Sequence, residues 1–217
     1  MLALYGHPLS SYTWKALIAL YAYDIPFEFR AVDQDHPENA RLVQAAGPLG
    51  KFPVLDDDGE LVFEATSIIE HLALKVGGGK LIPTNPEAAS RVRMLDRVFD
   101  NYVMNVMQVV VNETIRDGAN ADQVRCDEAR EQLKRSYRWL ETWLEGYPRG
   151  DHVTLIECAA APPLYYAHWV VEIDDKYPRL KAWRRHLLAL PAVKRCIDDA
   201  APYRHWFPLY RPELDEA

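Results

Sequence analysis

The hydrophobic pattern changes rhythm about a third of the way along the chain. At the start, short runs alternate in type. Leu2–Tyr5 is apolar and strand-like, Pro8-Leu9-Ser10-Ser11 is loop-like, and Trp14–Ala22 is rich in helix formers. Asp24-Ile25-Pro26 closes that helix, and Phe27–Val32 alternates with the period two of a strand. Strand, helix and strand in so short a span predict a right-handed parallel β-α-β unit. Val54-Leu55, the turn Asp56-Asp57-Asp58-Gly59 and Leu61-Val62-Phe63 read as a hairpin, and Ile68, Ile69 and Leu72 recur at helical spacing. The order βαβ, a variable segment, then ββα predicts an α/β domain: a mixed sheet of about four strands with helices on its faces.

Gly77-Gly78-Gly79, followed by Pro83 and Pro86, is the clearest break, so residues 77–85 read as a linker between domains 1–76 and 86–217. Beyond it every pattern is helical. Val92, Leu95, Phe99, Val103, Val106 and Val110 mark one long amphipathic helix, which Gly118 interrupts. Leu133, Tyr137, Leu140 and Leu144 mark a second. Thr154-Leu155-Ile156-Glu157 fits a capping box opening a third, which Pro162 and Pro163 are expected to bend or restart. Pro178 and Pro191 suit the first turns of two more. The second domain is therefore expected to be an all-α bundle.

Composition narrows the function classes. The 217 residues, 49% of them hydrophobic, hold material for a core, yet none of the apolar runs approaches the roughly 20 residues of a membrane span. The opening residues lack the basic region and long apolar run of a signal peptide, which leads us to expect a cytoplasmic protein. The three cysteines, Cys126, Cys158 and Cys196, lie far apart without a C-x-x-C, and the seven histidines include no H-E-x-x-H, so no metal site is expected. The formal net charge is −7, and Arg91, Arg93 and Arg97 are interleaved with Asp96 and Asp100. A nucleic-acid binder usually concentrates its basic residues on one face, so no nucleic-acid partner is expected.

The stretch Gly50-Lys51-Phe52-Pro53-Val54-Leu55, then Leu61-Val62-Phe63-Glu64-Ala65-Thr66-Ser67-Ile68, resembles the signature of the cytosolic glutathione transferases. So do Ser10-Ser11-Tyr12-Thr13-Trp14-Lys15, which is similar to the serine-type classes (zeta, phi and tau among them), and the Thr154–Glu157 box running into Ala159-Ala160-Ala161-Pro162. The likeness covers nearly the whole chain. It implies a thioredoxin-like first domain, glutathione as cosubstrate, a small hydrophobic electrophile as acceptor, a homodimer and a role in detoxification. Pro53 would be cis, leaving the Phe52 backbone free to pair with the peptide-like ligand; read alone, Pro53 starts an edge strand.

The same resemblance assigns roles to residues. The chemistry needs a thiolate, and lowering a thiol pKa by two units takes about 2.7 kcal/mol of preferential stabilisation of the anion. Ser10, at the start of helix 1, is the first choice as hydrogen-bond donor to that thiolate, Ser11 the second and Tyr5 a third; read alone, either serine is a helix cap. Glu64 would pair with the α-amino group of glutathione. The next residue, usually serine, is Ala65, so the α-carboxylate is left to a backbone N–H, with Thr66 or Ser67 as substitutes. Lys51 would meet the glycyl carboxylate, or is simply a solvated lysine, and Gln44 could reach the ligand. Tyr102, Met107 and Tyr165 are candidates for the acceptor pocket, and Arg91 and Asp96 for the dimer face. A zeta-like glutathione-dependent isomerase and a non-catalytic binding or regulatory protein on the same fold remain the alternatives.

Overall fold

The computed structural model describes residues 1–148, 150 and 152–214. Its sheet contains β1 (Leu2–Gly6), β2 (Phe27–Ala31), β3 (Val54–Asp57) and β4 (Glu60–Phe63), in the order β2-β1-β3-β4. β1 and β2 are parallel, with Leu2 opposite Phe27; β3 is antiparallel to β1, and β4 to β3. The hairpin turn has positive φ at Asp58 (53°) and at Gly59 (97°), which is what an Asp-Gly pair tolerates and most residues do not.

Alternation along β1 divides the core between the two sheet faces. Leu2 and Leu4 join Trp14, Leu17 and Ile68 beneath α1 (Ser11–Ala22) and α3 (Ala65–Val76). Ala3 and Tyr5 face the other way and pack with Val43 of α2 (Pro37–Ala46) and with Val54. α2 fills the segment between the βαβ and ββα units, for which the sequence reading named no element.

The helical part begins with α4 (Pro86–Phe99), capped by Asn85, whose Oδ1 accepts from the Ala88 N–H at 2.9 Å. α4 continues through a π-helical turn, Asp100–Met104, into α5 (Asn105–Asp117). The long apolar stripe read from the sequence is thus one rod with a widened turn in its middle. α6 (Gln123–Trp143) and α7 (Leu155–Val170) follow, then α8 (Pro178–Ala189) and α9 (Pro191–Ala200), each opened by its proline. α7 is buried from Leu155 to Trp169 and touches α1, α4, α5 and α8, so it is the axis of the bundle. Its capping box is complete: the Thr154 Oγ1 accepts from the Ile156 N–H at 3.1 Å, and the Thr154 N–H donates to Glu157 Oε2 at 2.9 Å. Pro162 and Pro163 lie inside α7 without moving its start, contrary to one of the two expectations for them. No helix of the described residues is long and apolar enough to cross a membrane.

One buried ion cluster ties the sheet-bearing part to the helical part. Lys15 of α1 is fully buried; its Nζ donates to Asp96 Oδ1 at 2.8 Å, to both oxygens of Asp100 at 2.8 and 2.9 Å, and to Thr66 Oγ1 at 3.1 Å. The Thr66 hydroxyl lies 3.0 Å from Asp96 Oδ2, and the Arg97 guanidinium closes the outer side at 3.3 Å from Asp96. Three elements, α1, α3 and the α4–π rod, therefore share one cation. Asp96 is spent here and fully buried, which removes it from the dimer face expected for it.

Removing one member of such a cluster costs far more than the cluster is worth, because its partners stay buried and unpaired. Lys15→Met should lower unfolding free energy by about 3–5 kcal/mol at neutral pH in urea titration. Without the cation the buried Asp100 carboxyl, which burial already raises, is pushed further above its unfolded value. The deficit is then full above that raised value and narrows as pH falls through it toward about 4. A deficit that stays constant from pH 7 to 4 would contradict this account.

Candidate active site

A cleft of about 650 Å³ opens where the β1–α1 loop, the α2–β3 loop and the start of α3 face the α4–π–α5 rod. Ser10 lines it at the N-cap of α1. Its Oγ accepts from the Thr13 N–H at 3.2 Å. Capping uses the oxygen as an acceptor only, so the hydroxyl proton remains available for a ligand. The first N–H groups of α1 have no intrahelical carbonyl and add partial positive charge there. The loop is held by its neighbours: the Trp14 Nε1–H donates to the Pro8 carbonyl at 2.5 Å and the Tyr166 hydroxyl to the Leu9 carbonyl at 2.8 Å.

The other two hydroxyl candidates do not reach the cleft. Ser11 is buried in the first turn of α1. Tyr5 is buried on the α2 side of the sheet, because its position in the alternation sends it away from α1.

The Phe52–Pro53 peptide bond is cis. Strand pairing starts only at Val54, and the Phe52 backbone has no hydrogen-bond partner among the described residues. Lys51, Phe52 and Pro53 all line the cleft. Gly50, at φ +56°, makes their loop possible; a Cβ there would meet the Gln44 backbone at 3.0 Å. Gln44 itself packs against Gly50 and does not line the cleft.

α3 begins at the cleft in an unusual way. Its N-cap, Glu64, has φ +69° and makes no capping bond with its side chain. Non-glycine residues held at such φ are uncommon and concentrate at functional sites. The first N–H groups of α3 are left without a side-chain acceptor, a ready anion site. Glu64 and Ala65 line the cleft. Thr66 does not stand in for the missing serine hydroxyl, because its Oγ1 is bound to Lys15 and Asp96.

The three residues expected to form an acceptor pocket do not form one. Met107 and Tyr165 are buried in the core, and Tyr102 is exposed but lies outside the cleft. The side of the rod that lines the cleft is polar: Asp100, Asn101, Asn105, Gln108 and Asn112 line it, with Tyr12 opposite. These residues were missed in the sequence, although the spacing of the carboxamides along the rod was visible there.

Charge in the cleft is mixed. Glu64 and Asp100 supply carboxylates, and Lys51 and Arg97 supply cations. Burial raises the Asp100 carboxyl above its usual range, with Asp96 adding to the rise and Lys15 opposing it. Burial, then the nearby charges of Asp100, Glu64 and Asp96, push the Tyr12 phenol well above its usual value, so it stays protonated. All three cysteines are buried, and burial raises the Cys158 and Cys196 thiols. None of them is placed as a nucleophile. The arrangement, with carboxylates, cations and an unpaired backbone side by side, suits a zwitterionic, peptide-like ligand. Among the described residues no group of three or more His, Cys, Asp or Glu is placed to hold a metal ion.

Comparison with known proteins agrees with this geometry. The family model for the glutathione S-transferase N-terminal domain matches residues 4–79, and that for the C-terminal domain matches residues 115–186. An uncharacterised transferase-like protein, YibF of Escherichia coli, is 31% identical over 169 residues, covering 76% of this chain and 82% of its own. A probable maleylacetoacetate isomerase of Vibrio cholerae is 27% identical over 214 residues, covering 93% and 97%. The crystal structure of glutathione transferase F7 from Populus trichocarpa superposes with a TM-score of 0.76 at 26% identity, over 92% of this chain and 99% of that one.

Proposed function

Because the chain belongs to the glutathione S-transferase family, we propose that it is a serine-type transferase that binds glutathione in the cleft and activates its thiol for attack on a small electrophile. The observation that carries this reading is Ser10: a half-buried hydroxyl at the N-terminus of α1, in the cleft, with its oxygen capping the helix and its proton unclaimed. Hydrogen bonds to a charged group contribute about 1.5–3 kcal/mol, and the helix dipole adds about 0.3–1 kcal/mol. Together these reach most of the 2.7 kcal/mol or so that a two-unit fall in thiol pKa requires.

The rest of the cleft fits the remaining parts of the tripeptide. The Phe52 backbone is free to pair in strand fashion, Lys51 suits the glycyl carboxylate, and Glu64 suits the α-amino group. With Ala65 in place of serine, the α-carboxylate is left to the uncapped N–H groups of α3. The supply of such groups is what argues against reading Ala65 as loss of binding. Buried, inert cysteines speak against thiol–disulfide chemistry by the chain itself and suit a reducing cytosolic setting. Turnover of foreign electrophiles, and hence detoxification, follows from the same chemistry.

A homodimer is part of the proposal. Leu74 of α3 is 83% exposed and Met94 of α4 is 53% exposed, close to an Arg93–Glu70 ion pair that bridges the two helices. We place the subunit contact on this apolar pair, which a second copy would cover. Leu74→Glu together with Met94→Glu should shift sedimentation from dimer to monomer; an unchanged dimer would place the contact elsewhere.

For the reaction, calorimetry should show glutathione binding to the native protein. Ser10→Ala should lose about 10- to 100-fold in kcat/KM for conjugation, as one hydrogen bond to an anion implies, with glutathione affinity largely kept. Ser11→Ala should change either value little. Absence of glutathione binding at millimolar concentration would overturn the proposal and favour a binding protein on a transferase fold.

A further inference from the structure

Each backbone polar group between the His7 carbonyl and the Ser10 N–H has a partner. The Ser10 N–H donates to the His7 carbonyl at 2.9 Å. The Pro8 carbonyl accepts from the Trp14 indole, and the Leu9 carbonyl from the Tyr166 hydroxyl. Pro8 has no N–H to offer. One group remains, the Leu9 N–H, and it donates to His7 Nδ1 at 3.1 Å. An Asn or Asp side chain makes the same bond, two residues along, in an Asx turn. Here the acceptor is an imidazole, whose ordinary proton affinity lies close to neutral pH.

Accepting at Nδ1 fixes the tautomer, so the proton of the neutral ring sits on Nε2. A second proton would go to Nδ1 and face the Leu9 N–H, donor against donor. The bond would be lost, and the turn before Ser10 would lose its side-chain support. His7 does not line the cleft, so any influence on a ligand runs through the loop it holds.

The groups around His7 come from three elements. Tyr203 meets its ring edge-on with centroids 5.3 Å apart, and Trp206 lies at 6.1 Å; both stand on the short helix Ala201–Trp206 after α9. His205 of the same helix packs on Trp206 at 5.5 Å. Burial lowers the His7 pKa below its ordinary value, and the charge of Asp33, after β2, opposes that fall. Asp33 also pairs with His36 at 2.7 Å, which raises the His36 pKa. His36 therefore takes its proton before His7 as pH falls.

We propose that His7 is a positioning residue for the thiolate donor: its neutral ring holds the turn that presents Ser10, and its protonation releases that turn and lowers turnover in acid. The inference rests on the transferase reading of the cleft. The acid side of the pH profile then contains two protonations. One is that of the glutathione thiolate, which the chemistry itself imposes. The other is that of His7, away from the ligand.

The test is the pH dependence of kcat/KM for benzyl chloride at saturating glutathione, from about pH 8 to 5, in the native protein, His7→Asn and His7→Phe. His7→Asn keeps an acceptor for the Leu9 N–H but cannot titrate. It should stay within about threefold of native at pH 8 and fall in acid with the thiol alone. The native protein should fall further, by about another threefold or more at pH 5. That extra loss should follow the His7 titration read from its ring-nitrogen resonances, which should also show the Nε2–H tautomer. His7→Phe keeps a ring against Tyr203 and Trp206 without the acceptor, and should be down about tenfold at each pH. Circular dichroism at pH 5 checks each fold; if His7→Phe does not fold, the comparison of native with His7→Asn still decides. Superimposable native and His7→Asn profiles, or an Nδ1–H tautomer, overturn the proposal and leave the transferase reading intact. Failure of the native protein to bind glutathione in calorimetry overturns both.

Discussion

The structure depends on a lysine that is fully out of water. Lys15 sits on the first helix but satisfies carboxylates on the fourth and at the π turn, and a hydroxyl on the third. A lone buried ammonium would be untenable; with four oxygens around it, it is tolerable and geometrically demanding. The demand is the point. Only one relative placement of α1, α3 and the α4–π rod lets all of these groups reach Nζ, so the cluster specifies how the sheet-bearing part meets the helical bundle.

The cleft follows from that placement. Ser10 stands on the same helix as Lys15, Ala65 beside Thr66 on α3, and Asn101 beside Asp100 on the rod. These three lining residues are near neighbours in sequence of ones locked into the cluster, whereas Lys51, Phe52 and Pro53 are placed by the loop before β3. The reacting groups thus inherit their positions from buried electrostatics, while apolar packing around α7 supplies most of the stabilising area. Thr66 shows the cost of this economy: its hydroxyl is committed to the cluster and is not offered to the cleft beside Ala65.

Much of this was legible in the chain. Period two marked β2, short apolar runs marked β1 and, around the Asp-Gly turn, the hairpin, and Thr154-x-x-Glu157 marked the start of α7, because local geometry alone decides those features. The Gly50–Leu55 signature pointed to the loop before β3, where the Phe52 backbone is left unpaired. What stayed hidden was of another kind. The π turn at Asp100–Met104 has no propensity signal, yet it carries Asp100 of the buried cluster and Asn101 of the cleft. Lys15, Asp96 and Asp100 look in sequence like ordinary surface charges, and their burial depends on contacts between distant elements. For that reason Tyr102, Met107 and Tyr165 were read as pocket residues and the carboxamide row was passed over.

The central claim is that the cleft lowers the pKa of a bound thiol through Ser10. Thiolate absorbance in the ultraviolet, followed against pH for glutathione bound to the native protein and to Ser10→Ala, measures this directly. The account predicts a thiol pKa about two units below that of free glutathione in the native complex and a value close to the free thiol in Ser10→Ala. The same pKa in both complexes would contradict it.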